Sequence, residues 1–270
     1  MSLLKHLTEF GGITHYDSFK SAIAFLKKNK DCSLHIPLGR YIFSGEASKL
    51  MQSAVMRGDD VNPDRFNRGL SFIGIEDANI EGNGAQLVSD GFVQLIYLKN
   101  CSNITVSNLK IDHIRKPFSV GRVSSCLDNG DGITELLIDF SEEFALNLNT
   151  PVKEIFIHNN GSTRRIKKID FSIIDNFSAK LYVKSNEDWL GAKICVVHCV
   201  GLLPTIRLEN CRNITFKNIK VLSSAGAALS AENCDSLVLS GLEIVTPLEG
   251  MQPSNFPILT ECTNITEREK

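Results

Sequence analysis

The sequence predicts an all-β chain: a right-handed parallel β-helix with an N-terminal capping helix and an inserted small antiparallel β-barrel. Three observations predict it. A short motif recurs four times, each copy alternates apolar with polar residues, and the stretch between the first two copies has a different texture. The copies are Asn100-Cys-Ser-Asn-Ile-Thr-Val-Ser-Asn-Leu-Lys-Ile111, Asn210-Cys-Arg-Asn-Ile-Thr-Phe-Lys-Asn-Ile-Lys-Val221, Asn233-Cys-Asp-Ser-Leu-Val-Leu-Ser-Gly-Leu-Glu-Ile244 and Glu261-Cys-Thr-Asn-Ile-Thr266. A weaker copy precedes them at Glu76-Asp-Ala-Asn-Ile-Glu-Gly-Asn-Gly84. Cys211 and Cys234 are 23 residues apart, and Cys234 and Cys262 are 28 apart. A period of about 20–50 residues marks a solenoid or a propeller.

The content of each copy selects the β-helix. Ile206 and Leu208 alternate with polar neighbours, as do Ile214 and Phe216, with Ile219 beyond a kink. Period-2 alternation puts one face in and one face out. No helical pattern separates the strands, which argues against leucine-rich and βαβ arrays. Successive coils would stack about 4.8 Å apart, so that like residues form ladders. Asn100, Asn210 and Asn233 fall at turns, where Asn tolerates positive φ and can hydrogen-bond along the stack.

The elements follow in order. Phe19, Ala22, Ile23 and Leu26 have helical spacing, so residues 17–29 form an amphipathic helix with Asp17 near its N-cap, covering the first coil. Ser33–Phe43 reads as two strands about a Pro-Leu-Gly turn, and 46–69 as a long loop or a short helix plus loop. Gly82-Asn-Gly84 lacks the strand–turn–helix context and the Lys of a phosphate loop, and reads as a turn with φ > 0. From 118 to about 200, alternating Leu136, Ile138 and Phe140 and a hairpin signal at Asn159-Asn-Gly161 mark the inserted antiparallel barrel or sandwich. The domains are therefore 1–117, cap and first coils; 118–203, insertion; and 204–270, further coils.

Eight cysteines would suit a disulfide framework, but Cys101, Cys211, Cys234 and Cys262 share one repeat slot. Stacked side chains have parallel Cβ vectors, a geometry that resists bridging, so they read as small core residues. A net charge of −2 gives no support for a nucleic-acid partner. No apolar run approaches the roughly 20 residues of a membrane span, and the opening MSLLKHLTEFGG lacks the apolar region of a signal peptide. Neither a calcium-type Asp cluster nor a zinc spacing is present, so no metal and no cofactor is expected.

Phe19-Lys-Ser-Ala-Ile23, Ile36-Pro-Leu-Gly-Arg-Tyr41 and Ile80-Glu-Gly-Asn-Gly84 resemble the start and the Asp-Gly-Asn-Gly turn of pectin-lyase-like β-helices. Three narrower features are Leu109-Lys-Ile-Asp-His-Ile-Arg-Lys-Pro-Phe-Ser119 leading into the insertion, Arg207-Leu-Glu-Asn-Cys211 on return, and Ser223-Ser-Ala-Gly-Ala-Ala228. Together they resemble the family-110 glycoside hydrolases, α-galactosidases that release terminal α-1,3-linked galactose. The resemblance implies an oligo- or polysaccharide partner with terminal galactose, hydrolysis without cofactor, and an extracellular or periplasmic location. The family pattern continues with an Asp-Ala-x-His motif and, about one coil later, an Asp-Asp pair. Here the first position falls in Gln252–Leu259, which has no Asp, and the chain stops at Lys270 before the second. Asp59-Asp60 lies ahead of the repeats. The expectation is a chain without the family's catalytic carboxylates, with glycan binding or scaffolding as the alternative. An uncapped last coil, ending in polar Glu267–Lys270, adds an expectation of self-association through that end.

Glycoside hydrolysis needs one protonated and one ionised carboxyl across the scissile bond. Acids near the repeat ends are Asp112, Glu232 and Glu249; the catalytic candidates are Asp112, within the family-like Ile-Asp-His, and Glu249, in a loop that would border a groove. The bland readings are a hydrogen-bonded acid fixing the start of the insertion for Asp112 and outward turn residues for Glu232 and Glu249. His113 and Arg115 are candidates for sugar hydroxyls, against a structural His and a solvated Arg. Trp189, the single tryptophan, is a candidate for stacking on a sugar face, against burial in the insertion.

Overall fold

The computed structural model describes residues 3–11, 15–57, 59, 67–130, 132–146, 151–167, 170–185, 187–199, 203–251 and 257–268. Apolar residues at alternate positions make strands, and the strands assemble into three sheets, two with parallel pairing and one antiparallel. The longest sheet has nine strands: β1 (Leu3–His6), β2 (Cys32–His35), β3 (Arg40–Ser44), β5 (Glu76–Glu81), β6 (Gln86–Asp90), β8 (Ser102–His113), β17 (Arg212–Val221), β19 (Asp235–Ile244) and β21 (Thr266–Arg268). A five-stranded parallel sheet holds β4 (Asn67–Ile73), β7 (Val93–Lys99), β16 (Ile206–Glu209), β18 (Leu229–Glu232) and β20 (Ile258–Thr260).

Register is set by the repeat. Ile104, Ile214 and Leu237 stand opposite one another on β8, β17 and β19, and so do Val106, Phe216 and Leu239. In the short sheet Leu98, Leu208 and Ala231 form the matching row. All of these belong to one buried apolar cluster that fills the space between the two parallel sheets. The cysteine slot is also in register: Arg212, Asp235 and Thr263 each donate a backbone N–H to the carbonyl of the preceding repeat's cysteine, at 2.9–3.0 Å. Cys101, Cys211 and Cys234 are buried, Cys262 is half-buried, and all eight cysteines are free thiols. Asn100, Asn210 and Asn233 have φ of 53°, 53° and 50°, and Asn233 Nδ2 donates to Asn210 Oδ1 at 2.7 Å.

The N-terminal helix α1 runs His15–Lys28, two residues earlier than the spacing predicts, so Asp17 lies in its first turn and not at its cap. Its acidic first turn and Lys27–Lys28 at its end suit the helix dipole. Phe19, Ala22 and Leu26 are buried, and the Phe19 ring lies 5.4 Å from both Tyr41 and Phe43. A second helix, α2 (Glu46–Met56), occupies the first half of the stretch expected as a long loop or a short helix plus loop, in keeping with the second of these; its Met51 and Val55 pack on Phe92 and Leu203. Asp60 to Asp64, the polar part of that stretch, lies outside the described residues.

The antiparallel sheet takes seven strands from β9 (Phe118–Asp128), β10 (Ile133–Phe140), β11 (Glu154–Asn159), β12 (Ser162–Arg165), β13 (Phe171–Ile173), β14 (Ser178–Lys184) and β15 (Lys193–Val197). Asn160 and Gly161, at φ 50° and 74°, make the β11–β12 hairpin turn. The strand order begins at β12 and ends at β13, and these two edges are not bonded to each other. The expected small antiparallel barrel or sandwich is met in part: among the described residues it is one curled sheet, a half-barrel with its edges apart, around its own core of Leu136, Ile138, Leu181 and Ile194. Among the described residues no helix is long and apolar enough to cross a membrane.

The turn expected at Gly82-Asn-Gly84 is present, with its positive φ on Asn83 and Gly84 and not on Gly82. A Cβ at Gly82 would meet Asn108 O at 2.5 Å and Leu109 Cδ2 at 2.3 Å, so the close pass of β8 demands glycine. Two stability outcomes follow from this packing. Phe216→Ala, at a site with no exposure, should cost about 3–5 kcal/mol in urea unfolding. Gly82→Ala should cost about 1–3 kcal/mol through overpacking alone. A cost below about 0.5 kcal/mol at Gly82 would show that β8 is free to move away.

Candidate functional site

The final residues of β8, Ile111 to His113, are buried because β6 pairs with them on one side and the chain from β17 covers the other. An acid buried there must be paired. The Asp112 carboxylate receives Lys116 Nζ at 2.5 and 2.6 Å, Ser223 Oγ at 2.7 Å, the His113 N–H at 2.8 Å and Gln86 Nε2 at 3.4 Å. Burial pushes its pKa up, but the bonds from Lys116, Ser223 and His113 outweigh that and hold it below the ordinary carboxylate value. His113 Nδ1 lies 3.0 Å from the same Ser223 oxygen. That hydroxyl gives its proton to Asp112, so the imidazole donates from Nδ1.

Asp, His and Ser in contact invite comparison with a nucleophilic triad. In a triad the imidazole lies between acid and nucleophile, so that the base faces the hydroxyl. Here the hydroxyl lies between acid and imidazole, and Asp112, His113 and Ser223 are 8%, 5% and 3% exposed. No substrate atom reaches them in this arrangement. The cluster pins the chain where it leaves β8 for β9, which is the structural reading of Asp112.

A matching device sits where the chain returns. His198, just after β15, accepts from Ser119 Oγ at Nε2 (2.9 Å) and donates from Nδ1 to Pro151 O (3.1 Å). It is completely buried. Burial pushes both imidazoles down to about 4. The half-buried Arg115 donates to Ala145 O at 2.8 Å, which also ties the exit segment to the antiparallel sheet.

The structure does not gather the remaining candidates around Asp112. Trp189 is 2% exposed in the core of the antiparallel sheet, and the Arg164 guanidinium covers its ring at 4.2 Å from the centroid. Neither ring face is open to a sugar, and its Nε1 has no acceptor among the described residues. Glu249 is exposed in the loop after β19, where its backbone carbonyl accepts from Thr163 Oγ1. Gln252 to Phe256, the stretch compared with the family's first motif, lies outside the described residues.

The outward face of the five-stranded sheet carries a polar array, of which the sequence reading singled out only Glu232. Tyr97, Arg207 and Ser230 share one row, and Lys99, Glu209 and Glu232 the next. Glu209 accepts from Arg207 Nη2 at 2.6 Å, Tyr97 OH at 2.8 Å and Lys99 Nζ at 3.1 Å. Burial raises its pKa, and the bonds from Tyr97 and Lys99 overcome that and leave it lowered. The Arg68 guanidinium lies 3.8 Å over the Tyr97 ring, a cation–π contact. Glu232 stands in register with Glu209 and is exposed. Adjacent strands put the two acids about 5 Å apart, near the spacing of a retaining glycosidase pair. Such a pair needs one carboxyl kept protonated by an apolar enclosure. Glu209 is instead surrounded by cations, and Glu232 is open to water. The array can orient and hydrogen-bond a polar ligand. Its signal was present in the repeat alignment: Lys99, Glu209 and Glu232 each precede the turn Asn.

Comparisons with known proteins give one partial likeness in sequence and one weak likeness in structure. No family model matches the chain. A stretch of 118 residues, 41% of this chain, is 30% identical to alpha-1,3-galactosidase A of Bacteroides fragilis. The match spans only 20% of that relative's length. A crystal structure from Parabacteroides merdae, provisionally described as a glycosyl hydrolase, aligns over 96% of this chain and 95% of its own. Its identity is 9% and its TM-score 0.41, a likeness too low to support a structural argument. Among the described residues no group of three or more His, Cys, Asp or Glu could hold a metal ion.

The junction histidines give a pH outcome. Their folded pKa values near 4 lie below the unfolded value of about 6.5, so the unfolded chain takes up protons first. Their stabilising contribution is complete above pH about 6.5 and is lost as pH falls through about 4. Asp112 adds a loss at still lower pH, since its folded pKa is depressed. Urea melts should show unfolding free energy falling across the histidine window, and a shallower fall for His113→Asn. Identical slopes in the two proteins would contradict a neutral buried His113.

Proposed function

We propose that the chain is a carbohydrate-active protein similar in plan to the family-110 α-galactosidases, and that the described part recognises galactose-terminated oligosaccharides without hydrolysing them. The observation that carries this is the 30% identity over 118 residues to an alpha-1,3-galactosidase. The proposed architecture is a right-handed parallel β-helix of residues 1–117 and 204–270, interrupted by the antiparallel insertion of 118–203. Its support is the stepwise parallel register that links β5, β8, β17, β19 and β21 on one side and β4, β7, β16, β18 and β20 on the other.

Recognition without turnover is supported by the acids themselves. Asp112 is buried and ion-paired, and Glu209 is saturated by three side-chain donors. Glu249 stands on an exposed loop, away from those bonds. The short-sheet array supplies fixed charged donors and acceptors for sugar hydroxyls, while the Tyr97 ring itself is buried under Arg68. Arg207, Lys99 and Glu232 face outward and would take sugar hydroxyls, while Tyr97 and Arg68 stiffen them from below.

The test is a printed glycan array, with release of galactose from α-1,3-galactobiose and nitrophenyl α-galactoside measured in parallel. Retention of galactose-terminated glycans with no release is the expected result. Glu209→Gln should weaken retention about tenfold, because Lys99, Arg207 and Tyr97 lose the charge that orients them. Release of galactose that disappears in Glu232→Gln would overturn the reading and make Glu209 and Glu232 a hydrolytic pair. Neither retention nor release would leave the chain without carbohydrate recognition.

A further inference from the structure

Within the nine-stranded sheet, β8, β17 and β19 bend at equivalent positions. Asn108 and Asn218 occupy the bend on β8 and β17 with φ of 56° and 54°, and Gly241 occupies it on β19 with φ 68°. The asparagines form a directional ladder. Asn218 Nδ2 donates to Asn108 Oδ1 at 3.0 Å, and Asn108 Nδ2 donates to both Glu81 oxygens at 2.9 Å. Glu81 takes two more bonds, from Ser107 Oγ and the Asn83 N–H, each at 2.8 Å, and so closes the ladder at that side. The other side is open. A third asparagine would donate to Asn218 Oδ1, but the position is Gly241. Asn218 Oδ1 accepts no hydrogen bond among the described residues.

This missing side chain opens onto a groove of about 590 Å³. Asn83, Lys110, Lys220 and Glu243 line its sides together with the bend. Lys110 and Lys220 are in register, and Lys220 is neutralised by Glu243 at 2.6 Å. Lys110 makes no ion pair among the described residues. Two lysines and two glutamates balance, so the groove carries no net charge, and Glu81 and Glu243 disfavour an anion. What it offers is one free amide acceptor and one free ammonium donor on adjacent strands, with Lys110 two residues beyond the position opposite Asn218, a diagonal neighbour about 7–8 Å away between backbones. A neutral sugar ring carries several hydroxyls, each able to donate and to accept, so different hydroxyls of one saccharide can meet the acceptor and the donor.

We propose that this groove is a binding subsite for a neutral saccharide, whose hydroxyl completes the ladder by donating to Asn218 Oδ1 over Gly241 while Lys110 donates to a neighbouring sugar oxygen. The inference rests on the carbohydrate reading above and places a second contact region on a different sheet from the Glu209 array.

Gly241→Asn tests it by substitution with the residue the ladder itself uses. Asn adopts the required positive φ, and its Nδ2 would reach Asn218 Oδ1 and fill the notch. The probes are neutral galactose- and glucose-terminated oligosaccharides, with a sialylated one as the acidic control. Calorimetry should show about a tenfold loss of affinity for the neutral probe in Gly241→Asn, at an unchanged or raised melting temperature. Lys110→Ala, at an exposed position, should weaken the same probe severalfold and decides the matter if Gly241→Asn fails to fold. Full affinity in both variants would remove this groove from the binding surface and leave the carbohydrate reading intact. No binding by the unaltered chain would end both, and tighter binding of the sialylated probe would refute the neutral chemistry assigned to the groove.

Discussion

In-register parallel pairing is the constraint on which the rest of this molecule depends. Each repeat places its strand directly beside the previous one, so a residue type at one position meets its own kind about 5 Å away. Apolar rows such as Val106–Phe216–Leu239 gain from this, since they close into a continuous dry core. Charged or glycine positions gain only if something complements them. Hence the bends use asparagine, which tolerates positive φ and donates to and accepts from an identical neighbour. Where a row breaks, as at Gly82 and Gly241, there is a local reason or a local opening. At Gly82 the reason is backbone proximity.

The antiparallel sheet obeys a different rule. Its strands pair antiparallel about a separate apolar core, and it must be joined to the parallel sheets by two chain crossings. Both crossings are buried, and both use a histidine that burial keeps neutral and whose ring is oriented by a hydroxyl. The exit adds Asp112 and Lys116, an ion pair whose remaining acceptor capacity is filled by Ser223 and the backbone. Fully satisfied polar networks of this kind specify one arrangement of the chain. They also remove these groups from chemistry, because a carboxylate with four donors has little left for a substrate.

The outward faces follow the same economy of pairing. On the short sheet Glu209 is enclosed by Tyr97, Lys99 and Arg207, and on the long sheet Glu81 is enclosed by Ser107, Asn108 and Asn83. Acids fixed in this way stay ionised and stationary. Such surfaces suit recognition of a hydroxylated ligand, whose exchangeable donors and acceptors can join existing ladders, better than they suit proton transfer.

The sequence by itself determined the repeat, the alternation within it and therefore the parallel register, because stacking like on like depends only on which residue occupies each slot. It also determined α1 through the spacing of Phe19, Ala22 and Leu26, and the β11–β12 hairpin through Asn160-Gly161. Tertiary structure alone decided that the insertion is an open curled sheet, since closure depends on whether β12 and β13 meet, and no local pattern encodes the contact of two distant edges. It likewise decided the fate of the candidate residues. Asp112, His113 and Trp189 have the right chemistry, yet burial and partners from Ser223, Lys116 and Arg164, distant by as much as 111 positions, set what they can touch. Tyr97 and Glu209 meet across 112 positions for the same reason: the 110-residue excursion through the insertion returns β16 beside β7, and only the folded sheet brings the two strands together.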